Sequence, residues 1–163
     1  MFSKAIRNKA ENLLEICATR GLMLATAESC TGGLIAGALT AVPGSSRVVE
    51  RGFVTYTNAA KHELLGVPLP LFDSVGAVSE AVARAMAEGA LNAAPVGIAL
   101  SVTGIAGPGG SERKPAGLVY IGCALAGMET TVRRFTFEGD RDSVREQSVE
   151  AALALALTRL ADD

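Results

Sequence analysis

The 163 residues amount to one ordinary domain, enough to bury roughly two thirds of the surface of the unfolded chain. Hydrophobic residues make up 49% and aromatics only 4%, with no Trp, so the core must be built from Ala, Val, Leu and Ile, and platforms for stacking nucleic-acid bases are not to be expected. A net charge of −2 and an isoelectric point near 5.5 argue equally against a nucleic-acid or anionic-membrane binder.

Ile6, Ala10, Leu13, Leu14 and Cys17 recur at helical spacing and predict the buried face of a first helix, which Gly21 is placed to end. Leu22 to Ala27 is apolar on both faces and predicts a central strand. Glu28-Ser29-Cys30-Thr31-Gly32-Gly33 follows, and then an alanine-rich helix from about Thr31 to Leu39, stopped by Pro43-Gly44. The next strand spans about Val48 to Thr57. Asn58 reads as the N-cap of a short helix over Ala59 to Leu65, closed by Gly66 and Pro68. Ser79 caps a longer helix to about Leu91, and Val96 to Val102 is another buried strand, leading into the loop Thr103 to Gly110. Leu118 to Leu125 and Thr130 to Phe137 predict a hairpin around Gly127-Met128. Ser143-x-x-Glu146 has the pattern of a capping box, and Val149, Leu153, Leu157 and Leu160 mark the buried stripe of a last helix. No linker, repeat or low-complexity segment interrupts this order. The reading is a single α/β domain over residues 1–163, with three layers (α/β/α) and a mixed β-sheet.

Three scattered cysteines without CxxC spacing and a single histidine, His62, give no support for a zinc cluster or a Ser-His-Asp triad. An odd count of free thiols fits a reducing cytoplasm, and no apolar run reaches the ~18 residues that span a bilayer. The amphipathic first 20 residues, with Glu11 and Glu15, are unlike a signal peptide.

Ser29 sits where a strand turns into a helix, beside helix N-terminal N–H groups that can hold an anion or a developing oxyanion. It can act as a nucleophile or serve merely as a cap. Lys61 is the available base: at the third position of its helix an ammonium ion is disfavoured by the helix dipole, and burial would lower its pKa further. Tyr56 could relay a proton or orient that lysine. Cys30 is either a rival nucleophile, with a thiol acidified by the helix end, or a small buried residue behind the serine. His62 decorates the surface of its helix. The loop from Gly104 to Gly110 carries four glycines in seven residues; it could cradle a phosphate or be a plain surface turn, and it lacks the Gly-Lys-Ser/Thr ending of a nucleoside-triphosphate loop. Arg141 and Arg145 flank a helix start, where a bound phosphate would offset their charge unless Asp140 and Asp142 already do.

Four blocks in order, Ala27 to Gly33, Val54 to Lys61, Val102 to Gly110 and Phe137 to Arg141, resemble the CinA C-terminal domain family, the nicotinamide-nucleotide amidases. The resemblance implies hydrolysis of the carboxamide of nicotinamide mononucleotide to nicotinic acid mononucleotide and ammonia. It implies Ser29 as nucleophile and Lys61 as base, with Tyr56 assisting. It implies no metal and no organic cofactor. Cys30, Thr31, Gly32, Gly33 and Asn58, together with Thr103, Gly104, Ala106, Gly107 and Arg141, are the candidates for oxyanion and substrate contacts. Longer members of the family carry a preceding molybdopterin-binding-like domain, which these residues do not include. The expected partner is therefore this small-molecule substrate, with no nucleic acid or membrane, and the alanine-rich helices offer apolar faces for a homo-oligomer. Two other readings stand beside this one. One is a non-catalytic module binding a phosphorylated nucleoside, for which an intact Ser29, Tyr56 and Lys61 would be superfluous. The other is an amidase for a different phosphorylated amide.

Overall fold

The structure is a computed structural model that describes residues 1–111 and 113–163. Its first helix, α1 (Lys4–Arg20), is capped by the Ser3 hydroxyl and ends at Gly21 in the left-handed conformation, with φ +67°. Ile6, Ala10, Leu13, Leu14 and Cys17 form its buried face, as their spacing predicts. Strand β1 (Leu24–Glu28) starts two residues later than the apolar run, because the Leu22 amide is still bonded to the Cys17 carbonyl of the helix end. It continues through Glu28, and all five residues are buried.

Helix α2 (Leu34–Thr40) begins later than Thr31. Residues 29–33 form a turn instead, in which Gly32 and Gly33 take φ of +58° and +100°, values that side chains other than glycine rarely adopt. A 3₁₀ turn (Ser45–Arg47) leads into β2 (Val49–Val54), shorter than expected. Helix α3 (Asn58–Leu65) is capped by Thr57, whose hydroxyl accepts the Ala60 amide, and not by Asn58. Lys61 is consequently the fourth helical residue. The sequence pattern missed α4 (Leu69–Ser74), which starts beside Pro68 and Pro70 in the manner prolines favour. Helix α5 (Glu80–Ala93) is capped by Ser79. Strand β3 (Ile98–Gly104) again lies two residues beyond its expected place. Strands β4 (Leu118–Leu125) and β5 (Thr131–Thr136) form the expected hairpin, and α6 (Arg141–Ala161) closes the fold. Its cap is Asp140, whose carboxylate accepts the Ser143 amide; Ser143 itself lies inside the helix.

The five strands form one mixed sheet in the order β2-β1-β3-β4-β5. β2, β1 and β3 run parallel, whereas β4 is antiparallel to β3 and to β5. Helices α1, α2 and α6 cover one face over the larger core cluster. Helices α3, α4 and α5 cover the other, over a cluster built on Leu65, Val67, Val82 and Met86. This is the three-layer α/β/α arrangement that the sequence implied. Among the described residues, no helix is long and apolar enough to cross a membrane.

Candidate active site

The parallel strands end level with one another: Glu28 of β1 pairs with Val54 of β2 and with Val102 of β3. The residues that follow those paired positions, Ser29, Thr55 and Thr103, therefore converge on one crevice, where open parallel sheets place ligands. There they wall a cavity of about 360 Å³ lined in part by Ser29, Cys30, Tyr56, Lys61, Thr103 and Arg141.

Lys61 reaches into this cavity from α3. It is one of the largest fully buried side chains, only 1% exposed. Its Nζ lies 2.7 Å from the Thr55 carbonyl, 3.4 Å from the Tyr56 carbonyl and 3.0 Å from the Ser29 Oγ. Burial pulls its pKa down from 10.5 to about 8, and the nearby Cys30 opposes this slightly. Desolvation is thus the main cause, and the helix end, from which Lys61 is one position further than expected, is not needed to explain the shift. The geometry has a direction. Two carbonyls occupy two N–H bonds, so the lone pair of the neutral amine is left facing the serine hydroxyl.

The turn that holds Ser29 is fixed from behind by Glu28, to which the sequence assigned no role, and by Thr31 and Arg145 in roles other than those it gave them. The Glu28 carboxylate is buried and accepts four hydrogen bonds, from the hydroxyls of Thr26 (3.2 Å) and Thr31 (2.7 Å) and from the amides of Ile35 (2.8 Å) and Ala36 (3.0 Å). The N-terminal amides of α2 are in this way already satisfied by a protein carboxylate, and they are not free to hold a substrate anion. Arg145 of α6 crosses to the same turn, its guanidinium donating to the carbonyls of Cys30 (3.1 Å) and Thr31 (3.4 Å). A side chain on Gly32 would approach that guanidinium to 3.4 Å. The sequence signal for Arg145 was its pairing with Arg141 at a helix start, but nothing in the pattern pointed to a turn more than a hundred residues away.

Cys30 takes the second of its two readings. It is buried, and desolvation pushes its thiol up to about 11, so that at neutral pH it is not a thiolate. Thr31 is buried with its hydroxyl on Glu28, and the Gly32 amide is committed to the Ser29 carbonyl. Neither they nor Gly33 line the cavity; Cys30 does. Asn58 is exposed on the first turn of α3 and also stands outside the lining. His62 is exposed with Nδ1 2.9 Å from the Val67 carbonyl.

The glycine loop forms the opposite wall, through Gly104, Ala106 and Gly107. At Gly104 a Cβ would meet the Val119 side chain at 2.7 Å and the Leu118 carbonyl at 2.9 Å, so the loop leaves β3 pressed against β4. Thr103 turns its hydroxyl to the Ala77 carbonyl at 2.8 Å, tying the segment before α5 to this wall. Arg141 spans the mouth of the cavity, donating to the Gly107 carbonyl at 2.7 Å and to the Tyr56 hydroxyl at 3.1 Å. The Tyr56 phenol is thereby turned to Arg141, and only its backbone carbonyl reaches Lys61. Among the described residues no carboxylate pairs with Arg141, and no group of three or more His, Cys, Asp or Glu residues is placed to hold a metal ion.

Comparison with known proteins agrees over nearly the whole length. The family model described as the CinA C-terminal domain matches residues 6–160. A protein of Enterobacter agglomerans named nicotinamide-nucleotide amidohydrolase PncC is 51% identical over 139 residues, covering 85% of each chain. A CinA-like protein of Citrifermentans bemidjiense is 50% identical over 154 residues, 94% of this chain and 37% of that protein. For several other curated relatives, too, the chain spans only 34–37% of their length. The crystal structure of a competence/damage inducible protein, CihA, from Agrobacterium tumefaciens superposes with a TM-score of 0.95 at 44% identity, covering 99% of this chain and 98% of that one.

Proposed function

Because this chain belongs to the CinA C-terminal domain family, we propose that it is a nicotinamide-nucleotide amidase that converts nicotinamide mononucleotide and water to nicotinic acid mononucleotide and ammonia. The observation that carries the reading is the buried Lys61 amine 3.0 Å from the Ser29 hydroxyl, with its other hydrogens held by backbone carbonyls. With a pKa of about 8, roughly a tenth of the lysine is neutral at pH 7. The neutral amine takes the Ser29 proton as Oγ forms a bond to the carboxamide carbon. The oxyanion develops at the cavity wall, where the Cys30 amide is the donor nearest the nucleophile in sequence; the Gly32 amide is already engaged. The lysine ammonium then protonates the departing nitrogen, the C–N bond breaks, and ammonia leaves an ester on Ser29. Water, deprotonated by the same amine, attacks the ester carbon; the acid is released and the serine regains its proton. Arg141, a cation at the mouth with no carboxylate partner among the described residues, is the group for the substrate phosphate. In this reading the protein works in the cytoplasm, in keeping with its three free, buried cysteines, and self-associates through exposed apolar side chains such as Leu64 and Leu69. Purified protein incubated with nicotinamide mononucleotide should release ammonia, and the Ser29→Ala variant should release none while still binding the nucleotide. Release of ammonia by Ser29→Ala at the wild-type rate would overturn the mechanism.

A further inference from the structure

The Tyr56 side chain has no part in the proton transfers above, yet it is placed with care. Its backbone carbonyl is at Lys61, deep in the cavity, and its hydroxyl is at Arg141, on the rim. The ring therefore runs along the wall between the reacting pair and the anion-binding cation. It is held at its hydroxyl end, while 57% of the residue remains accessible. Among the described residues, Tyr56 is also the only aromatic one lining this cavity, and the charged side chains that line it are Lys61 and Arg141, both cations.

The substrate class proposed above, on which this inference rests, poses a problem for such a cavity. The ring of an N-ribosylated nicotinamide is a pyridinium, with a full positive charge, and among the described residues no carboxylate lines the cavity to receive it. An aromatic face attracts a cation through its quadrupole, and tyrosine suits this role. We propose that the Tyr56 ring is the specificity element for the substrate's charged heterocycle. It stacks on the pyridinium and selects it over uncharged carboxamides of the same size and shape. The hydrogen bond from Arg141 holds the ring in place and ties recognition of the ring to recognition of the phosphate. A cationic ring beside Lys61 would also favour the neutral amine.

The test compares nicotinamide mononucleotide with its reduced form, which keeps the carboxamide, ribose and phosphate but has an uncharged dihydropyridine ring. Binding is measured by calorimetry on the Ser29→Ala chain, which leaves both ligands intact, and on that chain carrying Tyr56→Phe or Tyr56→Leu. The oxidised form should bind about tenfold tighter than the reduced form. Tyr56→Phe should retain most of that ratio, because the aromatic face remains, and Tyr56→Leu should bring it close to one. A merely structural role for Tyr56 would weaken both ligands together and leave the ratio unchanged. A ratio that is unchanged in Tyr56→Leu, or that is absent from the Ser29→Ala chain, overturns the inference. Wild-type protein that releases no ammonia from the mononucleotide would instead overturn the proposed reaction, so the two failures are distinguishable.

Discussion

Lys61 turns pH into a direct reporter of the site. Catalysis by its neutral form predicts a turnover number that rises with pH around an apparent pKa near 8 and then levels off. Lys61→Met should lower turnover by ~10²–10⁴ with a smaller effect on substrate affinity, and the pH dependence should flatten. Stability should carry the same signature. In the folded chain the lysine holds its proton only up to about 8, but in the unfolded chain it holds it up to about 10.5. Below pH 8 both states are protonated and the residue adds no pH dependence. Between those values the unfolded state binds more protons, so folding stability gains with rising pH. Urea unfolding at pH 7 and pH 9.5 should show the wild type gaining on the order of 1–2 kcal/mol relative to Lys61→Met. Cys30→Ser should keep most of the activity, since a thiol with a pKa of about 11 contributes no thiolate to lose; an inactive Cys30→Ser beside an active Ser29→Ala would reverse the assignment of nucleophile. At this scale the sequence was informative about the pairing of Ser29 with Lys61, because residue type and position at strand ends restrict which side chains can meet there. It was silent on Glu28, three of whose four donors come from a turn and a helix whose geometry depends on two positive-φ glycines.

Among the elements, α3 matters most to the proposed chemistry, because it carries Lys61, the proposed base. Where it packs on α5 the two backbones come close: a Cβ on Gly89 would lie 1.9 Å from the Leu65 carbonyl. Two effects of Gly89→Ala therefore compete. Alanine favours a helix over glycine by roughly 1 kcal/mol, but the overlap forces α3 away from α5 at about 1–3 kcal/mol. The overlap wins, because the obstacle is backbone and cannot rotate away. Gly89→Ala should lower the melting temperature, and its turnover should fall further than its affinity as Lys61 is drawn from Ser29. A variant with raised melting temperature and normal turnover would show that the two helices part freely. Elements with strong periodicity, such as α1 and the β4–β5 hairpin, could be read from the chain. Where the sequence reading slipped, the cause was local competition between neighbouring caps: Thr57 beside Asn58, and Asp140 ahead of Ser143, are equally good capping residues, and only the packed helix axis decides between them. Helix α4 is too short for any period to show.

For the molecule as a whole, the sheet order sets three parallel strand ends side by side, and the last helix supplies the arginines that bridge them. Arg141→Ala should weaken binding of the mononucleotide about ten- to hundredfold, and binding of the corresponding unphosphorylated riboside much less, as expected for loss of a charge-assisted contact. Calorimetry with both ligands would check it, and an equal loss for the two would place the phosphate elsewhere. The same helix has a consequence for biosynthesis. Arg145 is 115 residues from the Cys30 carbonyl it holds, and Arg141 is 85 from the Tyr56 hydroxyl. A ribosome delivers the Ser29 turn first and its brace 115 residues later, and at ~5–20 residues per second the interval is several seconds or more. For that time Ser29 and Lys61 exist on a nascent chain whose turn lacks its far support. Activity is therefore expected to switch on only once α6 has emerged and docked, rather than to accumulate as the strands emerge.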